Sequence, residues 1–477
     1  MDLRLVALLL FCHCRHGWTV KTLCSCKCLP FEFIGVGPKG LSCLLLHRMI
    51  LGDSEFLSAT TSPPSLTMES EKASSEEEPD GICASSLKSK KATGHGILKL
   101  GLELMEKLKT GPEQPNIIIS PLSISLALSQ LALGAENQTK DLLLHHLHAE
   151  VPVCYHKAFR SLLLQLQQST PQIATRMYTA PGFEPKLEFV QDSQQMYNSK
   201  PEVFPGVEEV NEWVKKATNG HVTDLLTNVP PELVLMLINA VHYKGEWQTS
   251  FDPRHTASDL FYVDNKHIVN VEMMVEPKYP LRLFIHNELD AQVARLPFKD
   301  QMSLLIVLPM AGQVNVSDIA EKFNMSDVYS QLQRERSMQV RLPKFKMEYS
   351  QELQEVLTSI GLGELFTAPN LSGISDSPLQ VTSVQHKTSM EINEKGAEAA
   401  AATSVSVSRS NPIFSVNQPF FFALMDDETL APIFLGVINN PNPDGATRSK
   451  GSGKSDKLGL PRALDKPHVR TFEHPPK

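Results

Sequence analysis

Glu394-Lys395-Gly396-Ala397-Glu398-Ala399-Ala400-Ala401-Ala402-Thr403-Ser404-Val405-Ser406-Val407-Ser408-Arg409-Ser410 is the stretch on which the reading of this chain turns. Taken by twos, Ala397, Ala399, Ala401, Thr403, Val405 and Val407 form one face. Glu398, Ala400, Ala402, Ser404, Ser406 and Ser408 form the other. A period of two is the signature of a strand with one buried side. The first half is nearly all alanine, which favours helix or coil over strand. The segment can therefore become a strand without being committed to one. It closes on Arg409, with Asn411-Pro412 behind it as turn chemistry. A small-residue hinge leading to a lone basic residue has the character of protease bait.

The flanks support a device rather than a linker. Upstream runs Val384-Gln385-His386-Lys387-Thr388-Ser389-Met390-Glu391-Ile392. Downstream come Phe420-Phe421-Phe422 and Pro432-Ile433-Phe434-Leu435-Gly436-Val437. Both sides read as strands, and a long hydrophilic loop between core strands is usually functional or disordered.

The chain has 477 residues, 42% hydrophobic and 21% charged, with net charge -8. That is the balance of a soluble globular protein and argues against general nucleic-acid binding. No apolar run reaches the roughly 18 residues of a membrane span. Residues 1–28 read as a leader, with Arg4 ahead of the apolar run Leu5 to Cys12. Residues 29–94 read as a disordered extension rich in Ser, Glu, Pro and Lys. A folded domain is expected over 95–443, with the loop at 394–414, and a disordered, lysine-bearing tail over 444–477. Within the domain, Ile97, Leu98, Leu104, Met105 and Leu108 have helical spacing. Ser120-Pro121 opens a second helix, and Ser303 to Pro309 reads as a buried strand. Helices and strands mix without regular alternation, which predicts an α+β fold.

Six of the eight cysteines precede residue 44, leaving Cys83 and Cys154 as a possible disulfide. Cys24-Ser25-Cys26-Lys27-Cys28 lacks matched ligands further on, so no metal and no cofactor is expected. Asn137, Asn315, Asn324 and Asn370 open N-x-Ser/Thr acceptor sites, consistent with secretion. No catalytic motif such as G-x-S-x-G or H-E-x-x-H occurs, and an enzyme is not expected.

Six stretches in unbroken order resemble the serpin family: Asn116 to Ile124 with Leu133-Gly134-Ala135, Asn211 to Gly220, Asn239 to Trp247, Leu296-Pro297-Phe298, Arg341 to Phe345, and Pro419 to Gly436. The resemblance implies three β-sheets, eight or nine helices and an exposed reactive loop. Within the family the likeness is nearest to members that inhibit plasmin, on Leu133 to Thr139, Tyr279-Pro280-Leu281-Arg282 and the alanine hinge. It implies a reactive bond at Arg409-Ser410 and a hinge of Glu394, Gly396, Ala397, Ala399, Ala401 and Thr403. It also implies a shutter of Ser120, Ser123, Asn239 and His386, and a breach residue, Trp247. From the residues alone, the four shutter residues read better as ordinary core polar groups, and a core tryptophan at 247 is compatible with the implied role.

The implied role is that of a secreted, monomeric inhibitor of a trypsin-like serine protease, most of all plasmin, acting in plasma on fibrinolysis. No nucleic-acid or membrane partner is implied. The tail lysines Lys454, Lys457, Lys466 and Lys477 are then candidates for the kringles of plasmin or plasminogen. The alternatives are an inhibitor of another Arg-directed protease, and a non-inhibitory member acting as carrier or ligand. The hinge argues against the second, because its inserting face carries no bulky, charged or proline residue. Most family members place the scissile residue one position later, which here is Ser410. The chemistry of Arg favours Arg409.

An inserting strand must desolvate one face, and alanines keep that cost low where a charge would not. Ala399→Arg is therefore expected to convert an inhibitor into a substrate. Titration against protease should show stoichiometry rising several-fold, and stable complex at the wild-type ratio would refute insertion of this face.

Overall fold

The computed structural model describes residues 87–166, 171–310, 313–332, 334–395 and 411–449. All of them fall in one compact unit, Glu77–Lys477. Nine α-helices occur among the described residues: α1 (Leu87–Lys107), α2 (Pro121–Gly134), α3 (Asn137–His146), α4 (Pro152–Leu166), α5 (Leu187–Tyr197), α6 (Val207–Ala217), α7 (Val316–Lys322), α8 (Met325–Gln331) and α9 (Gln354–Leu357). The strands in chain order are β1 (Ile117–Ile119), β2 (Gln172–Thr179), β3 (Glu202–Val203), β4 (Leu235–Lys244), β5 (Ala257–Tyr262), β6 (His267–His286), β7 (Ala291–Pro297) and β8 (Met302–Pro309). They continue with β9 (Glu335–Pro343), β10 (Phe345–Glu352), β11 (Val381–Ile392), β12 (Ile413–Ser415), β13 (Phe420–Asp426), β14 (Pro432–Ile438) and β15 (Arg448–Ser449).

Two hydrogen-bonded networks result. One runs β10-β11-β4-β2-β3. The other runs β1-β14-β13-β8-β7-β6-β9-β12, with β5 and β15 also on β6. Two of the three expected sheets are thus one continuous network. They are joined by β6, which pairs β5 in its first half and β7 in its second, with a register shift between Glu276 and Tyr279.

The five-stranded sheet is buried on both faces. Leu235, Leu237, Val241 and Tyr243 of β4 join the main core, together with Leu122, Leu126 and other residues of α2. Met236, Ile238 and Ala240 of the same strand join a second core with Val210 and Val214 of α6. This is why Leu235 to Ile238 reads as a continuous apolar run rather than an alternating one.

The folded part begins earlier than the sequence suggests. Helix α1 starts at Leu87, inside the segment expected to be disordered, and buries Thr93, Gly94 and Gly96. The pattern hides this because the packing is by smallness. A Cβ on Gly94 would lie 2.7 Å from the Thr429 carbonyl, so the helix meets backbone, not an apolar side chain. At the other end, Arg448 and Ser449 pair with Ile268 and His267, so the expected disordered tail begins with an ordered stretch.

Candidate functional site

The centre of the site is a seam. Strands β4 and β11 are direct parallel neighbours, paired from Leu235 opposite Val381 to Lys244 opposite Glu391. The segment 396–410 carries Gly396, Ala397, Ala399, Ala401, Thr403, Arg409 and Ser410. It leaves from the end of β11 and lies outside the described residues, as do Cys83, Lys454, Lys457, Lys466 and Lys477. Its two anchors are described. It departs at Lys395, at the mouth of the seam, and returns at Asn411, ahead of β12 on the edge of the other network.

The departing anchor is held on three sides. Trp247, 1% exposed and stacked on Phe298 at 4.1 Å, donates its Nε1–H to the Asn393 carbonyl at 2.6 Å. The backbone N–H groups of Trp247 and Phe251 donate to the carbonyls of Lys395 and Glu394 at 3.0 and 3.1 Å. The Glu394 carboxylate accepts from the Thr256 hydroxyl at 2.9 Å and lies 3.3 Å from Lys344 Nζ. Burial pushes this carboxyl up, but hydrogen bonds from backbone, Thr256 and Lys344 outweigh it and hold it below the usual range. Trp247 thus holds the backbone of Asn393 and Lys395, just past the end of β11.

Below the mouth, the expected shutter residues come together. Ser120 caps α2, its Oγ accepting from the Ser123 N–H at 3.3 Å, while Ser123 Oγ donates back to the Ser120 carbonyl. The Ser120 N–H donates to His386 Nε2 at 3.1 Å. The neutral imidazole therefore carries its proton on Nδ1. Burial drives the His386 pKa down to about 3. Asn239 lies opposite His386 in the parallel register, but its Oδ1 accepts from Thr175 of β2 at 3.1 Å. Asn239 Nδ2 and His386 Nδ1 are both buried with no hydrogen-bond partner.

A further element at the seam escaped the sequence reading. The strap 218–226 follows α6 and crosses the other face of the sheet. Asn211 binds it at both ends of its amide, Nδ2 donating to the Leu226 carbonyl and Oδ1 accepting the Leu226 N–H. Its turn uses left-handed backbone at Asn219 and Gly220, with φ of 52° and 81°. From this strap the His221 ring stacks on His242 of β4 at 3.8 Å. Lys387 of β11 donates to the Thr223 carbonyl at 2.8 Å. One strap thus fastens both strands of the seam. His242 is 2% exposed and its Nδ1 meets Ser389 Oγ of β11 at 3.1 Å. Burial first, then the neighbouring His221, lower its pKa to about 4. The only sequence signal was the Thr218-Asn219-Gly220 turn.

The four acceptor asparagines, Asn137, Asn315, Asn324 and Asn370, are all exposed. Asn315 and Asn324 also cap α7 and α8. Cys154 is disulfide-bonded, and its partner is not among the described residues. No group of His, Cys, Asp and Glu able to hold a metal occurs among the described residues, and no described helix is long and apolar enough to cross a membrane.

This architecture can be set against known proteins. A family model described as serpin (serine protease inhibitor) matches residues 95–441. Alpha-2-antiplasmin of Bos taurus is 39% identical over 379 residues, covering 76% of this chain and 77% of that protein. Alpha-2-antiplasmin of Mus musculus is 41% identical over 334 residues, covering 69% and 68%. The solved structure of uncleaved ovalbumin aligns with a TM-score of 0.67 at 26% identity, covering 73% of this chain and all of that one.

The chain belongs to the serpin family. In this serpin the two histidines of the seam make sheet stability depend on pH with a definite sign. Both are neutral when folded, with pKa values of about 3 and about 4, against an ordinary 6.5. Between about pH 6.5 and 4 the unfolded chain therefore binds more protons, and stability falls as pH falls. Above 6.5 they contribute no slope. Urea unfolding at pH 7.5 and 5.0 should show the loss, and His386→Gln should flatten it by up to about 1.4 kcal/mol per pH unit. An unchanged slope would mean that His386 is protonated in the folded sheet.

Proposed function

We propose that this serpin is a secreted suicide-substrate inhibitor of a trypsin-like serine protease, with plasmin as its principal target. The observation that carries the proposal is the uninterrupted β4–β11 seam with both loop anchors outside it. A strand able to fill the seam hangs from one of its own walls.

In this reading Arg409 enters the protease's specificity pocket, where its guanidinium pairs with a buried carboxylate. The protease serine attacks the Arg409 carbonyl and forms an acyl-enzyme, releasing the new amino terminus at Ser410. The hinge is then free. It folds back antiparallel to β11 and enters the seam, replacing one parallel ladder with two antiparallel ones. The protease is carried along and distorted before water can free it. The serpin supplies no catalytic group. Loop insertion is a recognised case of strand addition that releases stored strain.

Plasmin, rather than trypsin-like enzymes in general, is supported by the likeness to two alpha-2-antiplasmins and by the lysines of the tail. Lys477, when terminal, offers an ammonium and a carboxylate on one residue, the pair that a lysine-binding kringle accepts. Lys454, Lys457 and Lys466 are internal candidates. Tethering through them raises the local concentration of plasmin at Arg409. Secretion is supported by the four exposed acceptor asparagines and the disulfide at Cys154.

Equimolar protein and plasmin should give a band of summed mass that survives boiling in detergent. A few-kilodalton loss with plasmin still active would make the protein a substrate. Sequencing of the released peptide should begin at Ser410, and a start at Asn411 would move the reactive residue. Deleting residues 444–477 should slow plasmin capture while leaving trypsin capture nearly unchanged, and equal slowing would reject the kringle contact.

A further inference from the structure

The loop returns to the body of the protein against one particular surface. The Asn411 side-chain amide donates to the Pro277 carbonyl at 3.0 Å. The Pro412 carbonyl accepts from the Gln339 N–H at 2.9 Å, and Ile413 then pairs with Gln339 in β12. Asn411 follows Arg409 by two positions. Two extended residues span at most about 7 Å. Whatever flanks Asn411 therefore lies beside the primed side of the Arg409-Ser410 bond.

What flanks it is a rigid projection. Pro277 and Lys278 occupy the register shift of β6 between Glu276 and Tyr279, unpaired with β9. The shift is fixed from both sides. Tyr279 is fully buried and stacks with Phe251 at 5.4 Å. The Lys278 N–H donates to the Glu276 carboxylate at 3.2 Å, and prolines precede Lys278 and follow Tyr279. Such bulges re-aim side chains at functional rims. Pro277 and Lys278 are both exposed. Beside them, the parallel register of β12 continued back by two places Asn411 next to Ser337 of β9. The neighbouring Arg336 is exposed as well.

A standard protease contact buries about 800 Å² and roughly 20–30 residues on each partner, so surface beside the loop's return lies within its reach. From this we infer that the exposed 277–278 bulge, with Lys278 and the neighbouring Arg336, is a second contact for the attacking protease. Its acidic neighbours are Glu276, whose carboxylate accepts the Lys278 N–H, and Glu335, which faces Arg282 at 3.8 Å, so the exosite offers Lys278 and Arg336 to acidic residues bordering the enzyme's primed subsites. The inference rests on the proposed reactive bond but not on trapping. The exosite acts on encounter, before any covalent step. A rim charge of this kind governs association rate and its salt dependence more than the chemistry that follows.

The test uses the full-length protein and plasmin. Lys278→Glu, alone and with Arg336→Glu, is compared with wild type for the second-order rate of loop cleavage or complex formation at several salt concentrations. The expected result is a rate lower by about 3- to 10-fold at low salt, converging on wild type at high salt. Stoichiometry and melting temperature should be unchanged. Because the readout is the rate of attack on Arg409-Ser410, it serves whether the product is a trapped complex or a cleaved chain. Failure of trapping alone therefore leaves the exosite measurable. Equal rates and equal salt slopes for wild type and both variants would overturn the exosite and leave the inhibitory reading standing. Absence of cleavage at Arg409-Ser410 in wild type would overturn both.

Discussion

Two parallel strands in contact along their whole length set the terms for everything else in this fold. Strands β4 and β11 are both central, buried on both faces, and joined through one ladder. Parallel pairing is slightly less stable per residue than antiparallel. A chain segment with strand character begins at Ala397, five residues past the end of β11. Under the proposed mechanism the closed sheet is not the arrangement of lowest free energy once that segment is free to move. The closed form is held by contacts placed along the seam rather than by the ladder alone.

Those contacts fall at three levels. At the mouth, Trp247, Phe251 and the Lys344–Glu394 pair hold the backbone of 393–395. On the core face, Ser120 and His386 tie α2 to β11. On the opposite face, the strap after α6 fastens His242 and Lys387 at once. A typical hydrogen bond contributes about 0.5–1.5 kcal/mol net, so no one of these locks the sheet. Opening must break several in sequence, which makes it a matter of rate. The unpartnered Asn239 Nδ2 and His386 Nδ1 weigh the other way. Two buried donors without acceptors cost the closed form free energy that an incoming strand's carbonyls could recover.

Much of this was legible in the sequence, and the limits are physical. The apolar run of β8, the capped start of α2 and the period-two hinge are local patterns, and local patterns survive in one dimension. The roles expected for Ser120, Ser123, Asn239, His386 and Trp247 came only from the family likeness, since a buried serine, asparagine, histidine or tryptophan looks the same in any core. The cross-chain partners were not legible at all. Lys344 and Glu394 stand fifty positions apart, and His221 meets His242 only because Asn211 pins the strap. The first turns of α1 were missed because small residues packing on backbone leave no hydropathic trace.

The loop's two anchors are built differently, and the difference fits one order of events. The departing anchor is held mainly by side chains and single backbone bonds around Glu394, which can be released one at a time. The returning anchor is a stretch of ladder, with Pro412, Ile413 and the residues after it set against β9. In the proposed mechanism, cleavage at Arg409 separates the two. The ladder side stays where it is, and only the hinge side gains freedom, next to the seam it can enter. Had the strengths been reversed, an uncut loop could shed its far anchor and insert whole, leaving no bait. In that mechanism, ladder attachment after the reactive bond and graded attachment before it would keep the closed sheet waiting for a protease.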